Sequence, residues 1–181
     1  MDTLRTDFHN VIVEQDESVV TLTMNRPEML NAINTLMLEE LTEAVEAAAH
    51  HDMIRCVVLA GAGRAFGAGQ DLTEFASAHT GSQPLNVSEH LAKYHRLILA
   101  LHSMPKPVIA AMQGIATGIT LNIALACDIR IAADNARLRE GFARIGLVPD
   151  GGGGYTLPRL VGLGRALEIA LLAEDISGTE A

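Results

Sequence analysis

Asp150 has the clearest chemical setting in this sequence. It follows Pro149 and precedes Gly151, Gly152, Gly153 and Gly154, and the stretch beyond them, through Leu160 and Arg165 to Ala173, has helical spacing. Glycines carry no side chain to cover a neighbour, so the run leaves the carboxylate open at the front of a helix, where it can accept and return a proton. Pro-Asp-Gly is equally the chemistry of a plain turn, and spacing alone does not separate the two. Two other stretches can present backbone N–H groups. One runs from Gly61 to Gln70 and ends on Asp71, a good helix cap. The other is Pro105–Asp128, where an apolar run, Val108–Met112, turns at Gln113-Gly114 and passes Gly118 into helical spacing with Leu121, Leu125 and Ile129 four apart. The unpaired amides of a helix's first turn suit an anion or a developing oxyanion. The competing reading is a buried strand–helix unit whose glycines only allow tight packing. His95, beside an apolar helical stripe, is either a satisfied boundary histidine or a reserve candidate for catalysis.

The elements that must position these residues can be read from periodicity. Val11–Glu14 and Val19–Met24 predict a hairpin turning at Gln15–Ser18. A helix is expected from about Asn34 to Ala49, burying Met37, Leu41, Ala44, Val45 and Ala48 and leaving Glu39, Glu40, Glu43 and Glu46 outside or near its positive end. Ile54–Ala60 reads as a buried strand and Thr80–Pro84 as a loop. Asn86 and Glu89 have capping-box spacing for a helix to His102, with Leu91, Tyr94, Ile98 and Leu101 inside. Ile129–Ala132 reads as another strand. Strands alternating with helices give an α/β domain with a largely parallel sheet.

With 181 residues, 49% of them hydrophobic, the chain suits one domain, residues 1–181. A net charge of −9 argues against nucleic acid or an anionic membrane surface as partner. Val108–Cys127 is about as long as a membrane span, but Gln113, Thr117, Thr120 and Asn122 break it, so no membrane is expected. Cys56 and Cys127 sit in apolar runs, read as buried thiols in a reducing, cytoplasmic setting, and have no metal-ligand spacing.

Taken together, NRPEMLNAIN (25–34), VVLAGAGRAFGAGQDL (57–72), KPVIAAMQGIATG (106–118), LACDIRIAADNAR (125–137) and IGLVPDGGGGYTLPRLVGLGRA (145–166) resemble the enoyl-CoA hydratase/isomerase, or crotonase, superfamily. The runs RAFGAGQDL and FARIGLVPDGGG look most like its phenylacetate-pathway isomerases and enoyl-CoA delta isomerases. The resemblance implies a spiral of ββα units, here without the usual C-terminal helical segment. It further implies a substrate carried as a coenzyme A thioester, no resident cofactor or metal, and a homo-oligomer, a trimer or dimer of trimers.

It also assigns roles. Backbone N–H groups of Gln70 and Ile119 would hold the thioester oxyanion, Asp150 would act as acid and base, and Ala32, Ala68, Asp71, Leu72, Gly114, Phe142 and His95 would line the substrate. The two glutamates of hydratases fall on Asn122 and Phe142, neither of which can transfer a proton, so isomerisation is expected over hydration. The alternatives are a non-catalytic acyl-CoA-binding protein and an aryl-CoA dehalogenase that attacks through Asp150. The expected exposed apolar surface is Ala166, Ile169, Ala170 and Ala173, flanked by Leu160 and Leu163.

Overall fold

The computed structural model describes residues 4–74 and 86–181, so the expected Thr80–Pro84 loop lies outside the described residues. Strands β1 (Val11–Asp16) and β2 (Val19–Met24) form the expected antiparallel hairpin, with Val11 opposite Met24. Strands β3 (Cys56–Gly61), β5 (Val108–Met112) and β7 (Ile129–Ala132) extend it in parallel, in the order β1-β2-β3-β5-β7. The short strands β4 (Ala65–Gly67), β6 (Ile115–Thr117) and β8 (Arg137–Arg139) form a second parallel sheet, to which β9 (Ile176–Ser177) adds antiparallel. Each repeat thus sends one strand to each sheet: β3 and β4, β5 and β6, β7 and β8. The chain advances as the expected spiral of ββα units.

The helices are α1 (Thr35–His50), α2 (Val87–His102), α3 (Ile119–Ala126), α4 (Gly153–Val161) and α5 (Leu163–Leu172). Caps fix where the first two start: Asn34 Oδ1 accepts from Met37 N–H at 2.8 Å, and Asn86 Oδ1 from Glu89 N–H at 3.3 Å. Period-two alternation buries Val20, Leu22 and Met24 of β2, Val57 and Leu59 of β3, and Val108 and Ala110 of β5, in one core with Met37, Leu41 and Val45 of α1 and Tyr94, Leu97 and Leu101 of α2. Each large apolar side chain fully buried there contributes about 1.5–3 kcal/mol, which makes this layer the platform for everything above it.

Several expectations are corrected. Strand β7 is the expected Ile129–Ala132 strand, and α3 ends at Ala126, so Ile129 shares the spacing of Leu121 and Leu125 without belonging to their helix. Four-residue spacing carried across a helix–strand boundary by chance. Glu40 is buried, because its carboxylate accepts from the backbone N–H groups of His9 (2.8 Å) and Asn10 (2.7 Å) and ties the N-terminal segment to α1. The last helical stretch is two helices, broken at Gly162, whose φ of +79° suits glycine. Cys127 is buried, and burial pushes its thiol up to about 12, but Cys56 at the mouth of β3 is only partly covered.

The expected exposed face of α5 is the buried one. Ala166, Ile169 and Ala173 turn inward, the first two packing with Leu157, while Leu163, Leu167, Leu171 and Leu172 join Leu160 and Val161 outside. Among the described residues no helix is long and apolar enough to cross a membrane. The Val108–Cys127 run is divided between β5, β6 and α3.

Candidate active site

Two turns run side by side at the end of the second sheet. The segment after β4, Gly67 to Asp71, lies against residues 30–33 on one edge: Ala68 N–H donates to Leu30 O (2.9 Å), Ile33 N–H to Gly69 O (2.8 Å) and Asp71 N–H to Ile33 O (2.9 Å). The Gly69 carbonyl is taken by Ile33, and across a trans peptide the N–H points opposite to the carbonyl, so the Gln70 N–H faces away from residues 30–33, and Thr117 at the end of β6 lies close beside Gly69. It has no hydrogen-bond partner among the described residues. Thr120 holds the two turns together, its hydroxyl engaging Gly67 O at 2.6 Å and Thr117 O at 2.8 Å. Gly118, at φ +55° and ψ −127°, reverses the chain into α3 and leaves the Ile119 N–H as that helix's first amide, which has no intrahelical partner.

These two amides are therefore the pair that the sequence resemblance singled out, and the fold brings their turns into contact. The glycines beside them differ in purpose. A side chain at Gly114 would run into the carbonyl of Arg64, so this glycine serves packing between strands, whereas one at Gly118 would meet only the ring of Phe142 at 3.8 Å. Phe142 is buried in a short 3-10 turn, Gly141–Ile145, and forms the wall beside Gly118. Ala32 is buried behind the 68–71 segment and its carbonyl accepts from Arg26 Nη1 at 2.6 Å. Asp71 caps the turn after it, accepting from Thr73 N–H at 3.1 Å, and pairs with Arg26 at 3.0 Å. Arg26 and these backbone donors hold its carboxyl below the ordinary range although burial opposes them. The Asp71 carboxylate is thus committed within the protein, while Leu72 next to it is exposed.

Asp150 sits immediately before α4. Its carbonyl accepts from Gly153 N–H (2.8 Å) and from Asn122 Nδ2 (2.9 Å), which fixes the backbone, while its carboxyl Oδ1 is buried without a partner. Burial raises the carboxyl to about 6, and a nearby His95 charge offsets part of that rise. A carboxyl poised there is half a proton transfer from either state near neutral pH. The Ile119 side chain packs directly on Gly151, where any other residue's Cβ would collide with its Cδ1. Ile119 therefore occupies the space that Gly151 vacates.

His95 is exposed on α2 and also lines a groove with Glu46, Arg96 and Met104 between α1 and α2. Three residues to which sequence reasoning gave no chemical role belong here as well. The Tyr94 hydroxyl donates to Gln70 Oε1, and His90 Nε2 lies 3.2 Å from the same oxygen, so α2 grips the side chain of the residue whose amide is in question. Burial, and then the charge of Asp150, push the Tyr94 hydroxyl far up and keep it neutral. Tyr94 had been visible only as a stripe residue. Glu140 is 0% exposed, and neither carboxyl oxygen has a hydrogen-bond donor among the described residues. Burial, then the charge of Asp150, raise it to about 8, and the neighbouring Asn122 side chain offsets part of that rise. No motif marked it. Among the described residues no group of three or more His, Cys, Asp or Glu could hold a metal ion.

A two-sheet spiral of ββα units places the chain among the crotonase folds. The sequence profile of the enoyl-CoA hydratase/isomerase family matches residues 14–181, and the chain belongs to that family. It is 43% identical over 175 residues to a Rhodobacter capsulatus protein described as a probable enoyl-CoA hydratase, covering 96% of this chain and 65% of that one. It is 42% identical to the 1,2-epoxyphenylacetyl-CoA isomerase of Escherichia coli, over 94% of this chain and 65% of the relative. An enoyl-CoA hydratase structure from Bacillus anthracis superposes with a TM-score of 0.88 at 35% identity, over 96% of this chain and 66% of that one. The chain thus spans about 65% of the length of these first two relatives.

Proposed function

We propose that this protein isomerises an acyl-CoA thioester, holding the enolate oxygen with the N–H groups of Gln70 and Ile119 and moving a proton with Asp150. The observation that carries this reading is the setting of Asp150: a fixed backbone, a buried and unpartnered Oδ1, and ionisation near 6, beside two turns with free amides. An isomerase needs one group that takes a proton from one carbon and returns it to another, and such a group contributes about 10² to 10⁴ in rate. Each pre-aimed amide can contribute roughly 2.7–4 kcal/mol to the transition state. Phe142 and Asn122 at the remaining positions favour an apolar acyl or aryl group, with Ala32, Ala68, Leu72 and His95 around the thioester. The protein works as a homo-oligomer in the cytoplasm, with no resident cofactor.

Hydration is the second reading, favoured by one observation: Glu140 puts a second carboxyl close to Asn122 and Asp150. Hydrogen–deuterium exchange at the α and γ carbons over a panel of acyl-CoA thioesters, run with an assay for loss of the enoyl-thioester absorbance, separates them. Double-bond migration with exchange and no water addition supports isomerisation. Water addition to a 2-enoyl thioester replaces it with the second reading.

A further inference from the structure

The polar atoms around Asp150 are short of donors. Four buried acceptors lack a partner among the described residues: Asn122 Oδ1, both carboxyl oxygens of Glu140, and Asp150 Oδ1. The Asn122 amide cannot relieve this by rotating, because one N–H of its Nδ2 is given to the Asp150 carbonyl at 2.9 Å and a flip would set its oxygen against that carbonyl. It is also wedged under the next turn, where a side chain at Gly153 would strike it. One donor in the right place satisfies two of the four atoms at once: a proton on Glu140.

We propose that Glu140 is a positioning residue, its carboxylic acid O–H donating to Asn122 Oδ1 so that Asn122 in turn holds the backbone of Asp150. The chain of contacts is Glu140 O–H to Asn122 Oδ1, then Asn122 Nδ2 to Asp150 O, and it links β8, α3 and the turn ahead of α4. It stands whatever the reaction is; that it serves catalysis rests on the isomerase reading. Complete burial favours the neutral acid. Among the described residues no cation pairs with it: Arg139, its neighbour on β8, is engaged with Asp175 at 2.5 Å, and Arg165 of α5, which packs against the 3-10 turn, is engaged with Glu168 at 2.7 Å and with Glu180. From α2, Tyr94 and His95 bear on Asp150, and Asp150 itself faces Glu140, so ionising both carboxyls together is opposed. The working state therefore has Asp150 ionised and Glu140 protonated, between about pH 6 and about pH 8.

Carbon-13 labelling of glutamate side-chain carboxyls in the whole chain tests the contact directly, with the Glu140 resonance assigned by its loss in E140Q or, should that variant fold poorly, by its loss in E140D. The expected result is a carboxylic acid signal at pH 7 that titrates above it; a carboxylate signal at pH 7 overturns the proposal. Thioester exchange then tests the role. E140Q, whose amide can donate to the same oxygen, should keep the wild-type rate and lose the fall in rate above about pH 8. E140M, which cannot donate, should be slower roughly five- to tenfold, the loss of one hydrogen bond. Loss of exchange in E140Q as complete as in D150N would make Glu140 a proton carrier and overturn the positioning role. If no variant exchanges any thioester, the isomerase reading fails while the carbon-13 titration still decides the contact.

Discussion

At the scale of the residue, the site is two carboxyls held apart in charge. Both are raised by burial, Asp150 to about 6 and Glu140 to about 8. A carboxyl whose folded pKa is raised contributes stability that is present below its unfolded pKa and is lost as pH rises through the folded value. Wild-type stability should therefore fall from about pH 4 to about pH 6 as Asp150 ionises and on to about pH 8 as Glu140 does. Thermal melts of D150N should lack the first decline and those of E140Q the second; parallel curves for all three would contradict these assignments. Asp150 was legible in the sequence because proline and four glycines frame it. Glu140 was not, since its neighbours in sequence, Arg139 and Gly141, say nothing of a chain fold that seals the side chain under Asn122.

At the scale of the element, the two amide-bearing turns are joined by Thr120, which sits at the second position of α3 and engages the carbonyls of Gly67 and Thr117. Replacing it with valine keeps the volume and strands both carbonyls, so T120V should lose about 1–3 kcal/mol of stability in denaturant unfolding and, more tellingly, lower kcat with little change in KM. A variant that loses stability alone would show that the clamp does not aim the amides. Strand and helix assignments were legible wherever one face is buried: the hairpin, α1 and α2 follow their apolar spacing closely. Legibility failed where every face is buried. Helix α3 is buried on nearly every side, Thr120 and Asn122 included, so apolar spacing alone did not mark its end between Leu125 and Ile129. The break at Gly162 was hidden for a related reason, because apolar spacing continues across it into α5.

At the scale of the whole molecule, the spiral leaves an apolar exterior on α4 and α5. Leu163 is 65% exposed and Leu171 70%, with Leu167, Leu172 and Leu160 alongside. Apolar patches of this kind on soluble proteins commonly mark contacts. We expect the chain to self-associate through this face, and L163E with L171E to shift it toward monomer in light scattering; unchanged mass would place the contact elsewhere. The sequence pointed to the right helix and to its exposed flank, Leu160 and Leu163, but Ala166, Ile169 and Ala173 face inward. Alanine and leucine count alike as apolar, and only the fold shows that the small residues Ala166 and Ala173 allow close packing inward while the leucines turn out.

The central claim is that Asp150 moves a proton at a thioester held by the Gln70 and Ile119 amides. It is tested most directly by deuterium incorporation into a bound acyl-CoA thioester in heavy water, comparing wild type with D150N and measuring thioester binding by calorimetry on the same samples. Replacing the carboxylate by an amide keeps its shape and removes the base, so the account predicts unchanged binding and a loss of exchange of about a hundredfold or more. The wild-type rate should rise with pH through about 6, where Asp150 ionises. An exchange rate in D150N equal to the wild type, with binding intact, would contradict it.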